Sequence, residues 1–346
     1  MKKKLLEFKD LYVNFPVEGG VVNAIRGVSY DVAQGEVLGV VGESGSGKSV
    51  SSLAAIGLLP KSAQITGEVL VAGQNVIGLT EKEMSSVRGS GIAMIFQDPL
   101  TALNPVYTIG WQIIEAIQAH RSLTDEEAKT EAVRLLTLAG IPRAERRLDS
   151  YPHEFSGGMR QRVVIAIAMA NRPQIILADE PTTALDVTVQ AQVLETLKTA
   201  LHETGASLVL ITHDLGVIAG IADRVVVMYA GRIVETGTAE DIFYRPAMPY
   251  THGLLGSIPS VDGNGGERLH QIPGNPPTMV GEYKGCPFAA RCPMRKDVCL
   301  EIEPDLVEVG RGDDGEAHAA ACHFAKDVVN LPIASMFGHD EVLEVL

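Results

Sequence analysis

The stretch Gly42-Glu43-Ser44-Gly45-Ser46-Gly47-Lys48-Ser49 matches the phosphate-loop pattern G-x-x-x-x-G-K-[ST] at every fixed position. An apolar run over residues 37–41 precedes it, and the residues after it predict a helix over about 48–59 that ends before Pro60. The backbone N–H groups of a glycine-rich loop at a helix N-terminus face phosphate oxygens. We therefore expect this loop to bind a nucleoside triphosphate.

Three residues at the end of the motif have separate expected roles. Lys48 adds a full positive charge beside the β- and γ-phosphates, and the Ser49 hydroxyl can bind a bridging Mg²⁺ ion. The backbone N–H of Val50 can reach the α-phosphate. We predict that the nucleotide contacts are made by Gly42, Glu43, Ser44, Gly45, Ser46, Gly47, Lys48, Ser49 and Val50.

The composition narrows the class of protein. Apolar runs such as residues 163–170 are far shorter than the roughly 18 to 20 residues that span a bilayer, and no apolar signal-peptide core follows the basic first residues. A chain of this kind is expected to stay in the cytoplasm. The net charge of -14 (29 basic and 43 acidic residues) argues against a nucleic-acid partner, because such binding draws on clustered Lys and Arg.

The order of the predicted elements indicates an α/β chain. Hairpins are predicted on both sides of the phosphate loop, over residues 5–32 and 67–77, and they favour a small antiparallel sheet. Strand signals vanish over residues 108–158, which predicts a helical insertion at about residues 100–160. Short apolar strands then alternate with helices, as in a parallel sheet. Residues 246–277 are rich in Pro and Gly and are interpreted as a linker or an extended segment.

Two carboxylates follow the apolar run over residues 175–178. In a phosphate-loop protein a strand that ends this way places its acids across from Ser49. We predict that Asp179 holds Mg²⁺, directly or through water, and that Glu180 polarises the water that attacks the γ-phosphate.

The run Phe155-Ser156-Gly157-Gly158-Met159 precedes another apolar helix, and Ser156 is predicted to cap it. Paired glycines allow the N–H groups of a helix N-terminus to approach a phosphate. At this point the sequence resembles the ATP-binding cassette (ABC) ATPases, whose signature is Leu-Ser-Gly-Gly-Gln. The resemblance implies that Ser156, Gly157 and Gly158 contact the γ-phosphate of an ATP held by another subunit, so that two cassettes enclose two ATP molecules.

Further motifs of the same family occur in order along the chain, and their roles are implied by the resemblance. Gln97 matches the glutamine that senses Mg²⁺, Asp186 in Ala184-Leu185-Asp186 matches the D-loop, and His213 matches the histidine that contacts the γ-phosphate. Phe15, or less readily Tyr12, is placed like the aromatic residue that stacks on adenine. The implied catalytic residues are Glu180, His213 and Gln97, and the implied fold is an ABC-type phosphate-loop NTPase with a RecA-like, mostly parallel core sheet.

The resemblance extends to the importer subfamily for oligopeptides and dipeptides, which also includes nickel and glutathione importers. It implies an ATP-binding domain over residues 1–245 and a C-terminal extension over 246–346. Met159 is similar to the residue in one of two paired ATPases, which implies a heterodimer. Further implied partners are two membrane permeases, bound near residues 97–121, and an extracellular solute-binding protein, with the chain on the cytoplasmic face of the cell membrane. Import of nickel or another small solute, and a soluble ABC ATPase, are the alternatives.

The four cysteines, Cys286, Cys292, Cys299 and Cys322, all lie in the extension, with the spacing C-x5-C-x6-C-x22-C. Four thiolates suit a [4Fe-4S] cluster or a tetrahedral Zn²⁺ ion, and gaps of five and six fit the cluster better. Reduced thiols or disulfides are the third alternative. The resemblance favours a small cysteine-cluster domain, since some members of the subfamily carry such a cluster. The acidic stretch over residues 301–316 is interpreted as a solvated loop.

Overall fold

The computed structural model describes residues 3–183, 185–257, 272–281, 283–312, 315–332 and 336–337. In chain order the strands are β1 (Lys4–Val17), β2 (Gly20–Ala33), β3 (Val37–Val41), β4 (Gln64–Val71), β5 (Gln74–Asn75), β6 (Ile92–Ile95), β7 (Ile175–Asp179), β8 (Ser207–Thr212), β9 (Arg224–Tyr229), β10 (Arg232–Thr238), β11 (Val307–Arg311) and β12 (Ala317–Ala320). The helices are α1 (Lys48–Ala55), α2 (Glu81–Val87), α3 (Pro99–Ala102), α4 (Ile109–Gln118), α5 (Asp125–Leu138), α6 (Ala144–Arg147), α7 (Gly157–Met169), α8 (Val187–Thr204), α9 (Leu215–Ala219), α10 (Ala239–Tyr244), α11 (Pro249–Gly256), α12 (Val298–Glu301) and α13 (Ala325–Val328), with 3-10 turns at Pro152–Glu154 and Ala289–Arg291.

The larger sheet has eight strands in the order β11-β12-β10-β9-β3-β8-β7-β6. Its centre is parallel, because β3 pairs in parallel with both β8 and β9, and β7 pairs in parallel with both β6 and β8. Every residue of β7 and β8 is buried, as expected for strands covered on both faces. The predicted mostly parallel core sheet is confirmed.

The smaller sheet is antiparallel, with the order β2-β1-β4-β5. Glu18 and Gly19 form the turn between β1 and β2, one residue earlier than the predicted Gly19-Gly20, while Ala72 and Gly73, both at positive φ, form the turn between β4 and β5. Leu6 and Val13 of this sheet share a buried cluster with Val209 of the larger sheet and with α1. The antiparallel subdomain predicted on both sides of the phosphate loop is therefore confirmed.

Helices cover the other face of the larger sheet. The insertion contains α4, α5 and α6. The predicted capping box of α5 is present, since Thr124 Oγ1 accepts from Glu127 N while Glu127 Oε2 accepts from Thr124 N. The predicted apolar face of α5 is buried, and it consists of Ala128, Ala132, Leu135, Leu136 and Ala139. These residues pack in one cluster with α7 and α8, so the insertion has a continuous core with the sheet.

Three local predictions were wrong: one helix end and the structure of two segments. Helix α1 ends at Ala55 rather than near residue 59, because Gly57 takes φ +64° and Leu58 N donates to Leu53 O. The Pro-rich segment 246–277 contains α11, which begins at Pro249 and is too short to show helical periodicity, and its residues 258–271 lie outside the described part. The acidic stretch contains β11, whose pairing with β12 is a long-range contact that its composition does not reveal.

The C-terminal extension continues the larger sheet. Strand β12 pairs with β10 through Glu235 opposite Ala320, and β11 then pairs with β12. The fully buried Glu235 carboxylate accepts from Ala247 N at 2.6 Å and Met248 N at 3.1 Å, and it lies 2.8 Å from His318 Nε2. Because a buried carboxylate requires such partners, these contacts join the extension firmly to the sheet.

Candidate nucleotide site

The phosphate loop lies between the end of β3 and the start of α1, at the edge of the parallel sheet. A Cβ atom on Gly42 would lie 2.2 Å from the carbonyl oxygen of Met228, and one on Gly47 would lie 2.6 Å from Ile25 Cδ1. Both residues also take positive φ. Glycine is therefore required at both ends of the loop by close packing as well as by conformation.

Lys48 is buried at the centre of this loop. Its Nζ donates to Gly42 O at 2.7 Å, to Glu43 O at 2.9 Å and to Ser46 Oγ at 3.4 Å. Burial lowers the pKa of Lys48, whereas the nearby carboxylates of Glu180, Asp179 and Glu43 raise it. The ammonium group is thus held by oxygen atoms where an anionic ligand of the loop would lie.

Ser49 and Asp179 meet across the cleft. Ser49 Oγ donates to Asp179 Oδ1 at 3.0 Å, and Asp179 is the last residue of β7. Burial raises the pKa of Asp179, with a further contribution from Glu180, while the hydrogen bond from Ser49 lowers it. A hydroxyl and a carboxylate oxygen at this separation form a donor set that suits Mg²⁺.

Two of the predicted residues, Gln97 and His213, contact the carboxylate of Glu180 together with Thr183. Its Oε2 accepts from Gln97 Nε2 at 3.1 Å and from Thr183 Oγ1 at 2.7 Å, and its Oε1 lies 3.4 Å from His213 Nδ1. Glu180 takes φ +46°, which is uncommon for a residue with a side chain. The structure therefore brings Gln97, Glu180 and His213 together, at the side of the cleft beside Lys48.

The cleft has a volume of about 750 Å³. The phosphate loop contributes Ser44, Gly45, Gly47, Lys48, Ser49 and Val50 to its lining. A second group of lining residues has no counterpart in the sequence analysis and comprises Val22, Asn23, Ala24, Ala230, Gly231, Pro276, Pro277, Thr278 and Met279. These residues carry no motif, and they are far apart in the sequence.

The glycine-rich run at the start of α7 does not line this cleft. Ser156 caps the helix, since its Oγ accepts from Met159 N, and both Ser156 and Gly157 are exposed. Gly158 is buried against Val189 of α8. Asp186 caps α8, with its Oδ1 accepting from Val189 N at 3.0 Å, whereas Ala184 of the same motif lies outside the described residues.

Phe15 lies on β1 opposite Val22, one of the residues that line the cleft. Its half-buried side chain packs against the core of the antiparallel sheet, and neither Phe15 nor Tyr12 is among the cleft-lining residues that the structure describes. This part of the cleft is lined by Val22, Asn23 and Ala24 of β2 and by the segment around Pro277.

Two residues of the C-terminal region contact the phosphate loop, and neither is predicted from the sequence. Tyr250 Oη accepts from Glu43 N at 2.7 Å, and burial raises the pKa of Tyr250. Arg291 forms a bidentate ion pair with Glu43, with Nη1–Oε2 at 2.5 Å and Nη2–Oε1 at 2.9 Å. Only the tertiary structure could reveal these contacts, because an isolated Tyr or Arg has no motif.

The four cysteines all line one small cavity, together with Phe288 and Phe324. Burial raises the pKa of the Cys286, Cys292 and Cys322 thiols to about 11, 12 and 11 respectively. Among the described residues, no group of three or more His, Cys, Asp or Glu side chains is arranged to hold a metal ion. The thiols therefore converge without forming a ready coordination site.

None of the helices in the described part of the chain has the length and apolarity needed to cross a membrane.

Residues 25–183 match the family described as ABC transporter, and residues 234–299 match the oligopeptide/dipeptide transporter, C-terminal region. The chain is 51% identical over 322 residues to the dipeptide transport ATP-binding protein DppD of Bacillus subtilis, covering 92% of this chain and 94% of that protein. It is 47% identical over 300 residues to the oligopeptide transport ATP-binding protein OppD of Escherichia coli, covering 87% and 89%.

Other relatives are longer or more distant. The chain is 53% identical over 319 residues to OppD of Mycobacterium tuberculosis and covers 92% of its own length, but it spans about half (51%) of that protein. Among solved structures, the dimeric ATP-binding cassette MJ0796 bound to ADP and Pi matches with a TM-score of 0.60 and 28% identity, covering 68% of this chain and 98% of that one. The structure of cbiO1 from Clostridium perfringens also matches, with a TM-score of 0.60 and 26% identity over 70% and 91% of the two chains.

Proposed function

This chain belongs to the ABC transporter family of ATP-binding proteins, and we propose that it is the ATPase subunit of an importer for oligopeptides or dipeptides. The observation that carries the proposal is the convergence of Lys48, the Ser49–Asp179 pair and the Gln97–Glu180–His213 cluster in one cleft. The relatives that share about half of the sequence over nearly its whole length are named for oligopeptide and dipeptide transport, which supports the substrate class.

The residues of the cleft have separable roles in the proposed reaction. The loop N–H groups and Lys48 would bind the β- and γ-phosphates, and Lys48 would exchange its bonds to Gly42 and Glu43 for phosphate oxygens. Ser49 and Asp179 would hold Mg²⁺, which supplies charge stabilisation at the phosphates when bound. Glu180 would accept the proton of the attacking water, with Gln97 and His213 holding its carboxylate in place.

A second ATPase subunit would complete the site. Ser156 and Gly157 face solvent at the N-terminus of α7, where the helix dipole and free N–H groups favour an anion. We propose that they contact the ATP of a paralogous partner, with Asp186 near the same interface, and that ATP binding closes the two subunits together. The similarity to a dimeric cassette supports this arrangement.

The remaining partners are proposed from the relatives and from one groove. Between α4, α7 and β6 lies an apolar groove of about 320 Å³, lined in part by Phe96, Ala102, Ala116 and His120. Ala102, Ala116 and His120 lie in the segment 97–121, and Phe96 directly precedes Gln97. A movement of Gln97 at the nucleotide could therefore be transmitted to this groove. We propose that it receives a helix of one of two membrane permeases, on the cytoplasmic face of the membrane, and that an extracellular binding protein delivers the solute.

The variant Glu180→Gln tests the function directly. In the assembled transporter it should bind ATP, dimerise and lose hydrolysis by about 100-fold or more, because the amide cannot accept the proton of water. Thr183→Ala is the matched control, since it removes a hydrogen bond to the same carboxylate and retains the base. Hydrolysis by Glu180→Gln at the rate of the wild type would contradict the assigned role, and transport of peptides into vesicles would test the substrate class.

We further propose that residues 246–346 form an extension whose four cysteines hold a [4Fe-4S] cluster, with Zn²⁺ as the alternative. The convergence of the four cysteines on one cavity supports a shared ligand. Anaerobically purified protein should absorb near 400 nm and contain about four irons per chain. A colourless protein with one zinc ion would favour Zn²⁺, and a metal-free protein with full ATPase activity would refute both.

A further inference from the structure

One side of the nucleotide cleft is built from the C-terminal extension. Pro276, Pro277, Thr278 and Met279, here named the wall segment, line the cleft together with Asn23 and Ala24 of β2. Pro276 and Pro277 are half-buried, and Thr278 is exposed. The established phosphate-loop residues therefore account for only part of the surface that a bound nucleotide would meet.

The wall segment is held on the outer edge of β2, which is the edge strand of the antiparallel sheet. Asn23 N donates to Met279 O at 2.8 Å, Asn23 Nδ2 donates to Gly281 O at 2.8 Å, and Gly281 N donates to Val21 O at 3.1 Å. Val22 and Val280 form an antiparallel bridge. Backbone hydrogen bonds to a sheet edge fix a segment in register, so the segment is positioned as an added strand.

The Arg291 side chain joins the residues just before the wall segment to the phosphate loop. Arg291 Nε donates to Pro273 O at 2.8 Å, while its two Nη atoms form the bidentate pair with Glu43. The Arg291 side chain is only 4% exposed, and its guanidinium lies 5.9 Å from the ring centres of both Tyr229 and Phe288. A planar guanidinium with these partners has little freedom, so it restrains Pro273, three residues before the wall segment, relative to Glu43 of the loop.

The two sides of the cleft differ in chemistry. Gln97, Glu180 and His213 mark the side where the γ-phosphate would lie, so the nucleoside extends away from them along the loop. The wall segment offers the rigid apolar rings of Pro276 and Pro277 and the hydroxyl of Thr278. Flat apolar surface suits the face of a base, and a hydroxyl suits a ribose oxygen.

From this arrangement we propose that the wall segment binds the nucleoside half of ATP. The inference rests on the proposed function, because it assigns the far end of the same cleft. We therefore expect the extension to raise the affinity for the nucleoside and to have no effect on the affinity for the phosphates. Inorganic tripolyphosphate, which has no nucleoside, separates these two contributions.

The test is calorimetric binding of Mg²⁺-ATP and of Mg²⁺-tripolyphosphate to the full chain. The double variant P276A/P277A should bind ATP about fivefold or more weakly, because apolar surface against the base is lost, with tripolyphosphate affinity changed less than about twofold. The variant Thr278→Trp, at an exposed position, should obstruct the nucleoside end and lower ATP affinity by about tenfold or more with the same selectivity.

Two control variants separate this inference from the proposed function. Asn275 is exposed, directly precedes the wall segment and is not among the residues that line the cleft, so Asn275→Ala should bind both ligands as the wild type does. Lys48→Ala should lose both ligands. If Thr278→Trp and P276A/P277A bound ATP as the wild type does, or lost ATP and tripolyphosphate equally, the inference would be overturned while the phosphate-loop function stood.

Discussion

The Lys48 ammonium group has three oxygen partners within its own loop. A bound triphosphate would replace some of these contacts, because its oxygens would compete with the loop carbonyls for the same ammonium group. Burial lowers the pKa of Lys48, and the adjacent carboxylates of Glu180, Asp179 and Glu43 oppose that effect.

Lys48→Ala should therefore weaken ATP binding by about 100-fold or more, since charge-assisted bonds to phosphate in a partly buried site are strong. Titration with a fluorescent ATP analogue measures the loss. The control is Lys61→Ala, which removes an exposed lysine of the same helix-to-strand region. Unchanged affinity in Lys48→Ala would remove this lysine from the binding site.

Arg291 and Glu43 test how strongly the extension supports the loop. Arg291→Met should destabilise the fold by about 2 to 3 kcal/mol and weaken ATP binding, because it leaves the Glu43 carboxylate without its partner. Thermal unfolding should show a midpoint several degrees lower. In a double-mutant cycle, adding Glu43→Gln should restore part of this loss, and strictly additive effects would mean that the pair is not coupled.

The start of α7 is set by contact with α8. A Cβ atom on Gly158 would lie 2.1 Å from Val189 Cγ1, whereas one on Gly157 would meet only Leu185 Cδ2 at 3.9 Å. The two adjacent glycines thus have different reasons to be glycine: the second allows two helices to pack, and the first leaves a helix N-terminus open.

Gly158→Ala should destabilise the fold by about 1 to 3 kcal/mol, because the helices must separate to admit the methyl group. Gly157→Ala should leave stability nearly unchanged but lower ATP-dependent dimerisation, because its methyl group stands where a partner's phosphate would approach. Calorimetry and size-exclusion chromatography with ATP measure the two effects. Equal destabilisation by both variants would contradict this division.

The capping box of α5 gives a second prediction for an element. Thr124→Ala removes the acceptor for Glu127 N and should cost about 1 kcal/mol of stability, lowering the unfolding midpoint by a few degrees. The matched control is Thr130→Ala, since Thr130 donates only to the carbonyl of Glu126 inside the same helix. A cap effect no larger than that of the control would show that the insertion core alone sets the helix boundary.

At the scale of the whole molecule, the extension and the core share one sheet. Removal of β11 and β12 would leave β10 as an unpaired edge and would take His318 away from the buried Glu235 carboxylate. Exposed edges promote association between chains, and a buried charge without its partner is costly.

A chain truncated after Ser257 should therefore unfold at a lower temperature and aggregate on heating, as measured by light scattering. A control truncated after Pro332 retains both strands and should behave as the full chain does. If the shorter chain were as stable and monomeric as the control, the extension would be an independent unit rather than a continuation of the sheet.

The sequence alone was sufficient for the elements whose signals are local. The phosphate loop, the capping boxes and the buried parallel strands depend on residues that are neighbours in the chain, so their spacing is visible in the sequence. The order of the ABC motifs also indicated which separate residues would meet, and Ser49, Asp179, Gln97, Glu180 and His213 do meet.

Only the tertiary structure decided what the extension does. The pairing of β12 with β10, the bond from Arg291 to Glu43 and the position of Pro277 in the cleft all join residues that are distant in the chain. No periodicity or motif encodes such contacts, because they depend on how separate elements pack. Local patterns specify the parts of the site, and packing around the sheet determines which parts touch the nucleotide.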